Sequence, residues 1–500
     1  MKIVFRVDAS SWIGSGHVMR CLSLAAMLKS ISDEIYFACL PQHGDAISLI
    51  RERGFAVYIL TPPLVQMIPA NDKDYRAWLQ RSVKEDVADF IGIACDADLV
   101  VTDHYAIGAE WHKKLKSSIQ CKVVAIDDLV REHDADLVID QTLGRKPNAY
   151  HGASRLLAGP EYALLALPFA RHHEDGLNRT GLSGRPRVLI YVGSGDVNNV
   201  TLKVLETLVG VIDAHFTVLV SKVAVHYTSI KSWAEGKANV EHLEFVDDMA
   251  ELMLKNDISI GAAGTTSWER ACVGLPSILI PVADNQVEIC GQFVKAGAAK
   301  SVAMDAIQSQ LVSAVRELLE EWDAYTAANL AICDGRGAYR ALLEISCLMH
   351  AQDCAAVELV AATEDDIELV YRWQLAPETR KFALNPALPS WNEHKDWMND
   401  KLKQNQNYFY IIRDKERASS SGVLRLDRQY TGTYLVSILV DPECHGRGIA
   451  RSALSVADRI FPDFTLKAVV LEANRASQRL FENAGYQRLT NEEFSRKPLA

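Results

Sequence analysis

The residues best suited to chemistry lie in Gly14-Ser15-Gly16-His17-Val18-Met19-Arg20. This stretch follows an apolar run, Ile3-Val4-Phe5-Arg6-Val7. It opens a segment in which Val18, Cys21, Leu22, Ala25 and Leu28 recur at helical spacing. The order is therefore strand, glycine-rich loop, helix. Glycines there let backbone N–H groups approach an anion closely. The positive end of the helix macrodipole disfavours an imidazolium, so His17 is expected to be neutral near pH 7. A neutral imidazole beside an anion cradle suits a general base that takes a proton from water next to a phosphate. The same pattern also fits an ordinary turn of an open α/β sheet with a satisfied histidine.

Three further turns have the same character. The apolar run 187–192 leads into Gly193-Ser194-Gly195-Asp196, again suited to a phosphate. The run 258–261 leads into Gly264-Thr265-Thr266-Ser267-Trp268-Glu269, with Asn285-Gln286 after the next strand. Thr266 to Glu269 matches a capping box, in which Glu269 closes a helix. Alternatively, the Glu269 carboxylate accepts both hydroxyls of a ribose. Near the other end, His445-Gly446-Arg447-Gly448-Ile449-Ala450 follows the run 434–440 and starts another helical pattern. Its N–H groups suit a pyrophosphate.

The elements that hold these turns follow from the alternation of apolar runs and helical patterns. With 500 residues the chain exceeds one ordinary core, and about three domains are expected. Strands are predicted at 3–7, 35–39, 56–60, 99–102, 123–126 and 137–139, then at 187–192, 216–220, 240–245, 258–261 and 277–282. Strands separated by helices imply two doubly wound parallel sheets. The polar stretch 172–186 reads as a linker. Beyond residue 355 the strands 408–413, 422–426 and 434–440 follow one another with short turns, as in an antiparallel α+β domain. The boundaries are placed at 1–170, 187–347 and 356–500.

Composition narrows the partners. The formal net charge of −11 argues against nucleic acid and against an anionic membrane surface. No uncharged apolar run approaches a membrane span, and Arg6 and Asp8 interrupt the N-terminal run too early for a signal peptide. Ten cysteines without a Cys-x-x-Cys pair suggest reduced, buried thiols, no zinc site and a cytoplasmic enzyme.

The motifs in combination resemble a known family. Arg6-x-Asp8, the Gly14–Arg20 block (residues 14–20), Asp103-x-Tyr105, Asp127-Asp128, Leu157-x-Gly159-Pro160-x-Tyr162-Ala163-Leu164-Leu165, the block 261–286 and Asp334-Gly335-x-Gly337 stand in the same order. They resemble the UDP-2,4-diacetamido-2,4,6-trideoxy-β-L-altropyranose hydrolases of pseudaminic acid biosynthesis, which have the GT-B fold. The resemblance spans residues 1–347. It implies removal of UDP from a UDP-linked amino deoxysugar, with His17 as the base that activates water. It also implies that Gly264, Thr265, Thr266, Glu269, Asn285 and Gln286 hold UDP. Arg6, Gly14, Gly16, Arg20, Gly193 and Ser194 join them as substrate contacts. Asp8 is a candidate to orient the imidazole from its far nitrogen, or to cap a turn. No metal is expected.

Residues 356–495 resemble the GNAT acetyltransferases, through the 445–450 loop, Asn474 and Ala484-Gly485-Tyr486. This implies acetyl-CoA as co-substrate, bound by Val440, His445, Gly446, Arg447, Gly448, Ile449, Ala450, Asn474 and Tyr486. Asn474 can equally cap the following helix. Phe481 stands where many members carry a tyrosine that protonates the departing thiolate, so Tyr486 or another group must serve. The fusion suggests N-acetylation of a UDP-4-amino sugar followed by UDP removal. Rival readings are a GT-B glycosyltransferase, a hydrolase of a related nonulosonate precursor, and a third domain that only binds acetyl-CoA. The sequence leaves the oligomeric state open.

Overall fold

The computed structural model describes the chain except for residues 72, 151–153, 194 and 500. Two compact units divide it, Met1–Met349 and His350–Ala500.

The first unit holds two parallel sheets. Its first lobe contains β1 (Lys2–Val7), β2 (Glu34–Cys39), β3 (Ala56–Ile59), β4 (Leu99–Asp103), β5 (Lys122–Ile126), β6 (Leu137–Asp140) and β7 (Leu156–Ala158). Their order is β3-β2-β1-β4-β5-β6-β7. The second lobe contains β8 (Arg187–Tyr191), β9 (His215–Leu219), β10 (Val240–Leu243), β11 (Ile258–Ala262), β12 (Ser277–Ile280) and β13 (Ala299–Ser301), ordered β10-β9-β8-β11-β12-β13. Helices cover both faces of such a sheet, so its strands are apolar runs rather than alternating ones. β4 and β6 are buried along their whole length.

The winding direction reverses between β1 and β4, and between β8 and β11. A crevice opens at the carboxyl ends of strands where this happens. The loops after β1 and β4, and after β8 and β11, are therefore the ones able to meet a ligand.

Two expectations are corrected. The stretch 172–186 is not all linker, because helix Leu167–Gly176 runs into it and buries His173 and Glu174. His173 Nδ1 lies 2.7 Å from the Cys272 carbonyl oxygen, which satisfies a histidine that reads as polar and exposed in sequence. Helix Gly337–Met349 does not stay with the second lobe. Its Ala338, Ala341 and Ile345 join the first-lobe core beside Val18, Leu22 and Ala25. The chain crosses between lobes where Gly335 and Gly337 pass the segment 159–170. A Cβ on Gly337 would lie 2.3 Å from the Ala163 carbonyl oxygen, so only glycine fits.

The second unit is one mixed seven-stranded sheet, β14 (Val357–Ala361), β15 (Tyr408–Asp414), β16 (Ser419–Tyr430), β17 (Thr433–Val440), β18 (Thr465–Val469), β19 (Gln487–Arg488) and β20 (Glu493–Arg496). The order is β14-β15-β16-β17-β18-β20-β19, and only β17 and β18 pair in parallel. Reduced thiols are found at eight cysteines, whereas Cys347 and Cys354 are disulfide-bonded, against expectation. Among the described residues no helix is long and apolar enough to cross a membrane.

Candidate active site

His17 occupies the first turn of helix Gly16–Leu28. That helix has no acidic residue in its first turn, and its N-cap, Ser15, makes no side-chain cap. Its amides are thus not neutralised by the chain. His17 Nδ1 lies 2.6 Å from Asp103 Oδ1, with the donor-only Arg20 Nη2 3.1 Å away. Burial raises the Asp103 pKa, but Arg20 and His17 outweigh it and hold the carboxyl well below its usual range. An ionised Asp103 accepts only, so Nδ1 carries the proton and donates. In the neutral ring Nε2 then keeps its lone pair, the form a base requires.

Arg20 fixes Asp103 in turn. Its Nε donates to Oδ2 and its Nη2 to Oδ1, both at 2.6 Å. Its third arm, Nη1, donates to Asp128 Oδ2 at 3.0 Å. Tyr105 packs edge-on against the imidazole, with ring centroids 4.7 Å apart. Arg20, expected as a substrate contact, thus turns its donors toward Asp103 and Asp128. Its guanidinium is 4% exposed.

Asp8 does not reach the imidazole. Its Oδ1 accepts from Arg6 Nη1 and from the Leu40 amide, each at 2.7 Å. Arg6 is wholly buried between Asp8 and Asp86. The two therefore belong to a buried ion cluster rather than to a substrate surface. Asp103 was the residue to find. It ends β4, beside the point where the winding reverses, and a carboxylate there is the available sequence signal.

The second lobe brings its turn to the same place. A Cβ on Gly16 would lie 3.2 Å from Thr265 Oγ1. Thr265 is the N-cap of helix Thr266–Cys272 and makes no side-chain cap, so the capping box is not formed. Glu269 lies in its first turn. Burial pushes its pKa up to about 7, with Arg270 pulling it down. Gly264 has open space around its Cα, as close approach of a ligand requires. Asn285 and Gln286 begin helix Asn285–Lys295, and Gln286 Oε1 accepts the Val282 amide at 3.1 Å.

The turn after β8 differs from expectation. Gly193 has φ +111°. However, Asp196 accepts the amides of Val200 and Thr201 at 2.8 and 3.0 Å, so its carboxylate already fills that helix N-terminus. A phosphate at the N-terminus of helix Val200–Leu208 would face this carboxylate. Ser194 lies outside the described residues.

In the second unit, Gly446 and Gly448 have φ +77° and +76°, which favours glycine. Gly448 is the N-cap of helix Ile449–Ile460, whose first turn holds no acidic residue. Ile449 is buried and Ala450 half-buried at its start. Arg447 Nη2 donates to Asp414 Oδ2 at 2.7 Å, and His445 Nε2 lies 3.2 Å from the Val440 carbonyl oxygen. Asn474 Oδ1 accepts the Ser477 amide at 3.1 Å, so the capping role is realised. Tyr486 is 3% exposed and packs on the equally buried Phe481, with centroids 5.0 Å apart. It belongs to the core. β17 and β18 pair only from Thr433–Thr465 to Leu435–Lys467, then part. Backbone groups of β17 beyond Leu435 are left toward this opening, a feature with no sequence signal.

Comparison with known proteins agrees with this architecture. Residues 187–334 match the glycosyltransferase family 28 C-terminal domain, and residues 357–487 match the acetyltransferase (GNAT) domain. The rhamnosyltransferase SpnG, solved with thymidine diphosphate, superposes with a TM-score of 0.51 at 14% identity, over 70% of this chain and 100% of its own. SnogD from Streptomyces nogalater gives 0.50 at 16% identity, over 70% and 99%. The first unit thus has the GT-B fold, and the chain carries a GNAT acetyltransferase domain after it.

Its relatives narrow the class. An uncharacterized protein of Methanocaldococcus jannaschii is 23% identical over 98% of this chain and 97% of its own. UDP-2,4-diacetamido-2,4,6-trideoxy-beta-L-altropyranose hydrolase of Campylobacter jejuni is 28% identical over 42% of this chain and 66% of its own. Spore coat polysaccharide biosynthesis protein SpsG of Bacillus subtilis is 24% identical over 61% and 84%. The chain is homologous to these proteins and is a GT-B enzyme related to those acting on nucleotide sugars.

Proposed function

We propose that the chain is a bifunctional enzyme of pseudaminic acid-type sugar biosynthesis. Its GNAT domain transfers acetyl from acetyl-CoA to the amine of a UDP-4-amino deoxysugar. Its GT-B unit then hydrolyses the UDP-diacetamido-trideoxyhexose. In the first step the amine nitrogen bonds to the thioester carbonyl carbon, the C–S bond breaks, and the CoA thiolate leaves and takes up the proton that the amine loses. In the second, His17 Nε2 takes a proton from water while its oxygen bonds to the anomeric carbon. The bond to the UDP oxygen breaks, and the electron pair leaves with the diphosphate. UDP is a good leaving group, so one oriented water and a diphosphate cradle suffice.

The observation that carries this reading is the His17–Asp103 hydrogen bond of 2.6 Å at Nδ1, which suits Nε2 to the task of a base. The proximity of Gly16 to Thr265 supports it. Incubation of the protein with acetyl-CoA and the UDP-linked diamino sugar, followed by mass spectrometry, tests it. An acetyl mass gained and UDP then lost is the expected sequence. A product lacking either change refutes the corresponding half.

A second reading is favoured by one comparison. Over 157 residues the chain is 32% identical to the UDP-N-acetylglucosamine–N-acetylmuramyl-(pentapeptide) pyrophosphoryl-undecaprenol N-acetylglucosamine transferase of an Exiguobacterium species. In a glycosyltransferase His17 would activate an acceptor hydroxyl instead of water. Free sugar formed without any acceptor separates the two.

A further inference from the structure

Asp127-Asp128 stands among the motif residues but has no part in the chemistry above. The two carboxylates point to different tasks. Asp127 is buried and pairs with Arg131 and with the Tyr150 hydroxyl, away from His17. Asp128 accepts the one arm of Arg20 that Asp103 does not use, at 3.0 Å. The Tyr105 hydroxyl faces the same carboxylate. Burial and the Asp128 charge together hold the proton on that phenol well above its ordinary range. Tyr105 is the ring packed on His17, and Arg20 is the cation fixed to Asp103. Asp128 Oδ1 is itself buried without a hydrogen-bond partner.

We infer that Asp128 is a positioning residue for His17, acting through Arg20 on one side of the imidazole and through Tyr105 on the other. The base would then be held at Nδ1 by Asp103 and across its ring by Tyr105, with both restraints anchored on one carboxylate. The charged and titratable groups around this pair are Asp103, Arg20, Cys21, Tyr105, His104 and Arg131, with Tyr75, Asp127 and Arg145 beside Asp128. Burial pushes His104 down to about 4, with Asp8 opposing, so it stays neutral across the working range.

The inference rests on the hydrolase reading, and the test separates the two. UDP release from the UDP-diacetamido sugar is followed from pH 5 to 9 for the full chain, D128N and D128E, with UDP affinity measured by calorimetry. Wild-type turnover without an acceptor upholds the reading, and its absence sinks the reading itself. Given turnover, D128N is expected to lose about tenfold to a hundredfold in kcat, with KM and UDP affinity within about twofold. Its acid limb should move to lower pH, because a negative charge beside the base is gone. D128E, which keeps the charge, should restore part of the rate and the wild-type limb. An unchanged kcat in folded D128N overturns the inference. So does a loss that merely follows the folded fraction, with the pH profile unmoved.

Discussion

Gly16 of the first lobe and Thr265 of the second lie in contact distance, since a Cβ on Gly16 would fall 3.2 Å from Thr265 Oγ1. The loop that carries the base and the turn that precedes Glu269 thus share one edge of the crevice. Gly16 is needed for that closeness and not for its backbone angle. Consequences follow for the residues on each side.

Asp103→Asn keeps the shape of the side chain but removes the charge that fixes the His17 tautomer. It should lower kcat at least about a hundredfold while UDP affinity changes little. Arg20 would also lose its main buried partner, at a cost of about 3–5 kcal/mol. Stopped-flow UDP release and urea unfolding check the two effects separately.

With Glu269 holding the ribose as proposed, nucleotide binding should depend on pH. With its pKa at about 7, the carboxyl is largely protonated below that pH and ionised above it. Only the carboxylate accepts from both ribose hydroxyls. UDP affinity should therefore rise as pH increases through 7. Glu269→Gln should weaken binding at high pH and remove that part of the dependence, as calorimetry from pH 5.5 to 8.5 would record.

Gly337→Ala should destabilise the first unit. The added methyl would meet Ala163 O at 2.3 Å and Tyr162 C at 2.4 Å, both backbone. A cost of about 1–3 kcal/mol or more is expected. Gly264→Ala, with open space around it, should stay within about 0.5 kcal/mol. Urea midpoints of the two variants make the comparison.

Phe481→Tyr should not improve acetyl transfer. The ring is 3% exposed, so its new hydroxyl would be buried in the core. Stability should fall by about 1–3 kcal/mol without a gain in kcat. A rate increase with an unmoved melting temperature would show that the thiolate reaches this side chain.

Much of the fold was legible because its strands are buried on both faces. Runs such as 99–101, Leu-Val-Val, are apolar and need no partner to be recognised. Short edge strands such as Leu156–Ala158 and Ala299–Ser301 carry too few residues for a pattern. His17 was legible from its loop. Its partner was not, because Asp8 and Asp103 are both carboxylates at strand ends, and only strand order decides which faces the imidazole. Likewise, Asp196 reads as part of a phosphate loop until its carboxylate is seen to bind Val200 and Thr201. Asn474 had two roles in sequence, and the cap is formed. The return of helix Gly337–Met349 to the first lobe lies beyond any local pattern, since it depends on what the distant helix Gly16–Leu28 leaves uncovered.

The most direct measurement is single-turnover hydrolysis of the UDP-diacetamido sugar in ¹⁸O-water, without acceptor, for wild type and His17→Asn. Wild type should release UDP and place the label on the anomeric oxygen of the free sugar. The variant should bind UDP normally and release it more slowly by about 10²–10⁴-fold. Label in the phosphate, or an undiminished rate in the variant, would contradict the role given to His17.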